Sequence, residues 1–153
     1  PWHGGPLQIP ASDWPTGVLH FTVNMATIPT DGSANGTLRF TFSSSTTQET
    51  VTGGYNLAGD TPFWLDRGAI SGSDHPLFAD KFDTNALIEQ NGAFVLEVGF
   101  DRTILEGFLQ GGQTSATTVL YPKGRINTLT LSGDGLSSSI VLGVTVWALD
   151  GTW

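Results

Sequence analysis

The sequence predicts an all-β fold: an antiparallel two-sheet β-sandwich of jelly-roll or lectin-like type, with about nine or ten strands. Three observations point there. The composition is turn-rich, with 20 Gly and 8 Pro, abundant Ser and Thr and few strong helix formers. Apolar residues alternate with polar ones at the two-residue period of a strand, and Gly, Pro, Asn and Asp separate the alternating runs. No stretch carries a helical stripe, and no repeat period appears. At 153 residues the chain is one domain by size and large enough to bury a full core.

Taken in order, Pro1 to Pro15 holds four of the eight prolines and two of the five tryptophans. It reads as an extended lead-in or linker to a sandwich over 16–153, with Trp2 and Trp14, like Trp153, placed to cover a junction with another domain. Val18 to Met25 alternates, with Leu19, Phe21, Val23 and Met25 on one face. Leu38, Phe40 and Phe42 share a face in the next run. Gln48 to Tyr55 is a strand weakened by Gly53-Gly54, and Phe63 to Arg67 is a short one. Gly68 to Asn91 lacks strong periodicity and is expected to wrap an edge, with a short strand near Leu77 to Phe82. Phe94 to Pro122 reads as a three-strand meander: Phe94 to Asp101, Thr103 to Leu109 and Ser115 to Tyr121. It turns at Asp101-Arg102 and at Gln110-Gly111-Gly112-Gln113. Ile126 to Ser132 and Ile140 to Leu149 complete the set.

Charge and motif content narrow the function. Six Lys and Arg face fourteen Asp and Glu, a net charge of -8, which argues against nucleic acid or an anionic membrane as partner. The low charged fraction suits a secreted protein that meets neutral, hydroxyl-rich ligands. There are no cysteines, hence no disulfides and no thiolate metal site. No apolar run approaches the roughly 18 residues of a membrane span. The start at Pro1, without Met, reads as a processed product or a fragment. His3, His20 and His75 have no metal-ligand spacing, and no motif implies a cofactor. Asn35-Gly36-Thr37 is a glycosylation sequon in a turn.

The candidate site lies among charges in strand-like context. Asp66, Asp101 and Glu106 stand near Arg67 and Arg102. Two carboxylates facing each other could serve glycoside hydrolysis. Two Asp-Arg dipeptides in so arginine-poor a chain favour an ion-pair cluster pinning sheet edges, and a carboxylate paired with Arg makes a poor general acid. Glu106 lies between Ile104 and Phe108 on one strand face, so if that face is inward the carboxylate needs a cation or several donors. Trp64 and Trp147, inside strands, are expected in the core, with Trp64 the candidate for contact with a sugar face.

The motifs along the second half resemble a known family. Trp64-Leu65-Asp66-Arg67-Gly68 is followed by Gly99-Phe100-Asp101-Arg102, by Leu105-Glu106-Gly107-Phe108, by the Gly111-Gly112 turn and by Thr117-Thr118-Val119-Leu120-Tyr121-Pro122. This succession is similar to the C-terminal β-sandwich of glycoside hydrolase family 32, which contains invertases, inulinases, levanases and fructosyltransferases. The Trp-Leu-Asp-Arg-Gly form resembles the yeast and fungal branch. The match runs from Gln48 to Leu149, and Gly107 stands where the family more often has a larger residue. The resemblance implies a secreted β-fructofuranosidase-type enzyme whose catalytic residues lie in a preceding five-bladed propeller, none of whose motifs occurs here. This chain would then be a non-catalytic module that supports the propeller and helps build a homodimer. The alternatives are a free-standing module that grips fructose-containing saccharides through Trp64, Asp66, Arg67, Asp101, Arg102 and Glu106, or an unrelated lectin.

Overall fold

Eleven strands form in the computed structural model, which describes residues 2–60 and 62–149. They are β1 (Leu7–Pro10), β2 (Val18–Ala26), β3 (Thr37–Ser43), β4 (Thr50–Asn56), β5 (Phe63–Ala69), β6 (Lys81–Thr84), β7 (Phe94–Asp101), β8 (Ile104–Leu109), β9 (Thr114–Val119), β10 (Thr128–Asp134) and β11 (Val141–Ala148). Two antiparallel sheets result, ordered β1-β10-β3-β4-β5-β6 and β11-β2-β7-β8-β9. The predicted two-sheet sandwich is therefore what forms, and the meander runs as expected through β7, β8 and β9.

Alternation decides which side chains meet. Leu19, Phe21, Val23 and Met25 of β2, with Phe94, Leu96, Val98 and Phe100 of β7, project inward from one sheet. Leu38, Phe40 and Phe42 of β3, with Leu129 and Leu131 of β10, project inward from the other, and all are buried. Phe42 stacks on Phe100 across the sheets, with ring centroids 4.6 Å apart. Tyr55 stacks on Phe94 at 3.8 Å and donates its hydroxyl hydrogen to the Ala86 carbonyl at 2.8 Å. Burial pushes that phenol up to about 12.

The lead-in is not a linker. Residues 7–10 form β1, which pairs with β10 at the edge of the six-stranded sheet. Trp14, expected at a junction between domains, is instead 1% exposed inside this sandwich. Its ring meets Phe42 and Phe100 edge-on, at 6.0 and 5.8 Å. Trp2 is half-buried and bridges to Leu142, while Trp153 lies outside the described residues. The expected strand near Leu77 to Phe82 forms later, as β6, because the chain first passes through a 3-10 turn at Ser71–Ser73 and further turns up to residue 80.

Gly53 and Gly54 do not merely weaken β4. Gly53 shares a row with Phe40 and Leu65, and a Cβ there would lie 2.3 Å from Phe40 Cζ and 2.6 Å from Leu65 Cδ2. The two larger side chains fill the space the glycine leaves. Gly53→Ala should therefore destabilise the domain by about 1–3 kcal/mol through overpacking, read as a lower urea midpoint with an unchanged slope. Gly107 acts likewise: its row neighbours are Val98 and Ala116, and a Cβ there would approach Phe63 Cζ to 3.0 Å.

Candidate functional site

The residues singled out in the sequence do not come together as one ion-pair cluster. Among the described residues the ion pair found is Arg39 Nε to Asp134 Oδ2, at 3.5 Å, with both side chains exposed. For Asp66-Arg67 the reason is the strand period: adjacent residues of an extended chain point to opposite faces, so an Asp beside an Arg is poorly placed to pair with it. In Asp101-Arg102 the chain leaves β7 at Arg102, which turns away. The two dipeptides also sit in different sheets. Asp66 accepts a hydrogen bond from the Gly68 amide at 2.9 Å. Arg67 donates to the carbonyls of Ala79 and Val119, at 3.0 and 2.9 Å, and to Thr118 Oγ1 at 3.1 Å. It also lies over the Phe78 ring at 4.8 Å. Arg67 thus ties β5 of one sheet to edge strand β9 of the other. Arg102, with φ of 48°, donates to the Thr16 carbonyl at 3.3 Å.

Trp64 lies on the outer face of the six-stranded sheet, opposite Gly54. The lack of a side chain at Gly54 leaves room for the indole: a Cβ there would be 3.2 Å from Trp64 Cζ2. Arg39 and Lys81 cover the ring, each cation 5.3 Å from its centroid, so only 9% of Trp64 is exposed. It is already occupied by the chain's own cations.

Open apolar surface lies on the other sheet. Glu106 faces outward there, so its carboxylate needs no buried partner; its contact is a long one, 3.5 Å, from Thr117 Oγ1. Register brings Val18, Asp101, Ile104 and Val119 into one row, with Leu149 hydrogen-bonded beside Val18. The next row runs Trp147, His20, Gly99, Glu106 and Thr117. Leu149, Trp147, Ile104 and Val119 are 48, 45, 41 and 38% exposed. Trp147, expected in the core, instead stacks on His20 at 5.0 Å. A dent of about 270 Å³ opens over Gly99, walled by Ile104, Phe108, Glu106 and Asp101, and a Cβ on that glycine would meet nothing within 4 Å. Glu97, Asp101 and Glu106 are the charges of this face, and no Lys or Arg lies on its strands.

One charged residue that sequence reasoning missed is Glu49, 4% exposed. Its carboxylate accepts from Thr47 Oγ1 at 2.7 Å and from the amides of Ser71, Lys123 and Gly124 at 2.9, 3.1 and 2.9 Å. Burial pushes the carboxyl up, but the hydrogen bonds from Gly124, Thr47, Ser71 and Lys123 together outweigh it and hold the group at about 2. Glu49 staples three loops. Nothing in its local sequence signals this, since its partners lie up to 75 positions away. No group of residues suited to hold a metal ion occurs among the described residues.

Two antiparallel sheets packed face to face define a β-sandwich domain. The family model described as glycosyl hydrolases family 32 C terminal matches residues 9–148, and the chain belongs to that family. The fold is similar to that of exo-inulinase from Aspergillus awamori, with TM-score 0.76, 19% identity, and coverage of 98% of this chain and 28% of that one. It is also similar to β-fructofuranosidase from Schwanniomyces occidentalis complexed with fructosyl-erythritol, with TM-score 0.71, 15% identity, and coverage of 92% and 30%. Sheep galectin-11, in complex with glycerol, shares the sandwich at TM-score 0.59 and 14% identity, with 96% of this chain and 99% of that one covered. At such identities the likeness is one of fold. The chain spans less than a third of the length of the two enzymes. No curated protein sequence gives a significant match.

Proposed function

We propose that this chain is the non-catalytic C-terminal module of a secreted β-fructofuranosidase-type glycoside hydrolase, and that it supports a catalytic propeller through the outer face of its five-stranded sheet. The observation that carries this reading is the exposed set Leu149, Trp147, Ile104 and Val119, which lies along one end of a single sheet face, from edge strand β11 to edge strand β9. Large apolar side chains gathered on one face mark an interaction surface. In this reading Asn35, exposed in the loop before β3, carries the glycan.

The test mixes the chain with a separately produced family 32 propeller and measures association by sedimentation. Ile104→Asp and Trp147→Asp are expected to weaken it at least about tenfold, as loss of central apolar anchors does, while Arg39→Gln on the opposite face leaves it unchanged. A chain that stays monomeric with no affinity for the propeller overturns the proposal. A chain that self-associates through this face makes the surface a homodimer contact instead.

A second reading, a module that grips fructose-containing saccharides, draws on the dent over Gly99. His20, on which Trp147 stacks, lines it together with the carboxylates Asp101 and Glu106, and carboxylates suit sugar hydroxyls as hydrogen-bond acceptors. Calorimetry with levan and inulin oligosaccharides decides it: the absence of heat at millimolar ligand removes this reading and leaves the first intact.

A further inference from the structure

We propose that the cleft beside the β7–β8 corner binds an oxyanion, a carboxylate or a phosphate group, held by the guanidinium groups of Arg102 and Arg125. The cleft, about 500 Å³, is lined by residues 15–17, by Arg102 and Thr103, and by residues 122–126. It gathers Arg102, Lys123 and Arg125, half of the six cationic side chains of a chain whose net charge is -8. Neither arginine has a carboxylate partner among the described residues.

Backbone carbonyls fix both arginines. Arg102 Nε donates to Thr16 O at 3.3 Å, and Arg125 Nη2 donates to Pro15 O. The two side chains converge on one glycine: a Cβ built on Gly17 would lie 3.5 Å from Arg102 Cγ and 3.8 Å from Arg125 Nη2. A guanidinium carries five N–H donors in a planar fork, so each group keeps most of its donors after its one carbonyl bond. Two like charges drawn to one short loop repel each other, and an oxyanion between them converts that repulsion into charge-assisted hydrogen bonds.

The walls are held in place before any ligand arrives. Glu49 accepts the amides of Lys123 and Gly124 on one side, and the Arg102 amide donates to Gly17 O on the other. Of the described carboxylates beside the lining, neither Glu49 nor Asp101 forms an ion pair with these arginines. Glu49 is buried and saturated by its own donors, and Asp101 lines the dent on the outer sheet face. The overall negative charge repels anions at long range, but physiological salt screens this beyond about 8 Å. The site depends on local geometry and is independent of the propeller reading.

The test titrates the isotope-labelled 153-residue chain with sodium phosphate and, separately, with sodium succinate, against sodium chloride of equal ionic strength. Nuclear magnetic resonance follows the backbone amides and the arginine Nε–H signals. Saturable millimolar shifts are expected at Gly17, Thr103, Arg102 and Arg125. Arg102→Gln and Arg125→Gln should each weaken binding about tenfold, the loss of roughly one charge-assisted contact. Arg125→Lys, which keeps the charge without the fork, should fall between, and it provides the readout if a glutamine variant fails to fold. Saturation by phosphate alone identifies a phosphate or phosphoester ligand, and saturation by succinate a carboxylate such as an acidic side chain. Failure of both anions to saturate, equal shifts at Arg39 and Lys81, or unchanged binding by folded glutamine variants overturns the proposal.

Discussion

Replacing Trp14 with alanine is expected to destabilise this domain by about 3–5 kcal/mol, the cost of removing a fully buried large aromatic side chain. The indole packs edge-on against Phe42 of one sheet and Phe100 of the other, and those two rings stack on each other. Its removal opens a void where the sheets meet, and each partner ring loses an aromatic neighbour worth about 0.5–1.5 kcal/mol beyond its area. Urea denaturation of the isolated chain is the measurement. A tryptophan serving a junction with another domain would leave the isolated chain's stability unchanged, so the experiment distinguishes the two positions directly.

Glu49→Gln is expected to cost about 2–4 kcal/mol, because a buried acceptor of four hydrogen bonds loses its charge and turns an NH2 group toward donors. The effect depends on pH, and its sign follows from the depressed acidity. The folded carboxyl titrates at about 2, against an ordinary value of 4.5. The stabilisation is fully present above 4.5 and is lost as pH falls from 4.5 toward 2. Wild type should therefore lose stability over that acid interval, whereas Glu49→Gln should show a shallower decline. The difference between the two should be largest near neutrality. Denaturant midpoints measured from pH 7 downward check both statements, and parallel curves would refute the assignment.

The strands were legible because one side of each is buried. In β2, β3 and β7 the alternating apolar residues mark the inner face directly, and the turn glycines mark the ends. What stayed hidden was contact between distant segments. The edge strand β1 is too short, and too rich in proline, to show a period. Trp14 sits outside any alternating run, and its burial comes from the closing of the sandwich end. The Asp-Arg pairs suggested partners by proximity in sequence, yet the extended backbone sends Asp66 and Arg67 to opposite faces, the turn carries Arg102 away from Asp101, and the two pairs belong to different sheets. For Trp147 the strand itself was clear, but which of its faces looks inward depends on pairing with β2. The family motifs, by contrast, lie mostly on strands and turns of one meander, where sequence order and spatial order coincide.

The placement of β2 has a consequence for biosynthesis. Its two hydrogen-bonded neighbours are β7, which begins at Phe94, and β11, which ends at Ala148. β3, likewise, waits for β10. A nascent chain emerging from the ribosome can zip its local hairpins early, but one edge of β3 stays open until β10 has emerged and one edge of β2 until β11 has. Closure of such distant pairs is entropically slow. The domain should therefore acquire its native shape only once β11 is available, and any stop codon before β11 should yield a product that exposes an unpaired apolar strand and aggregates.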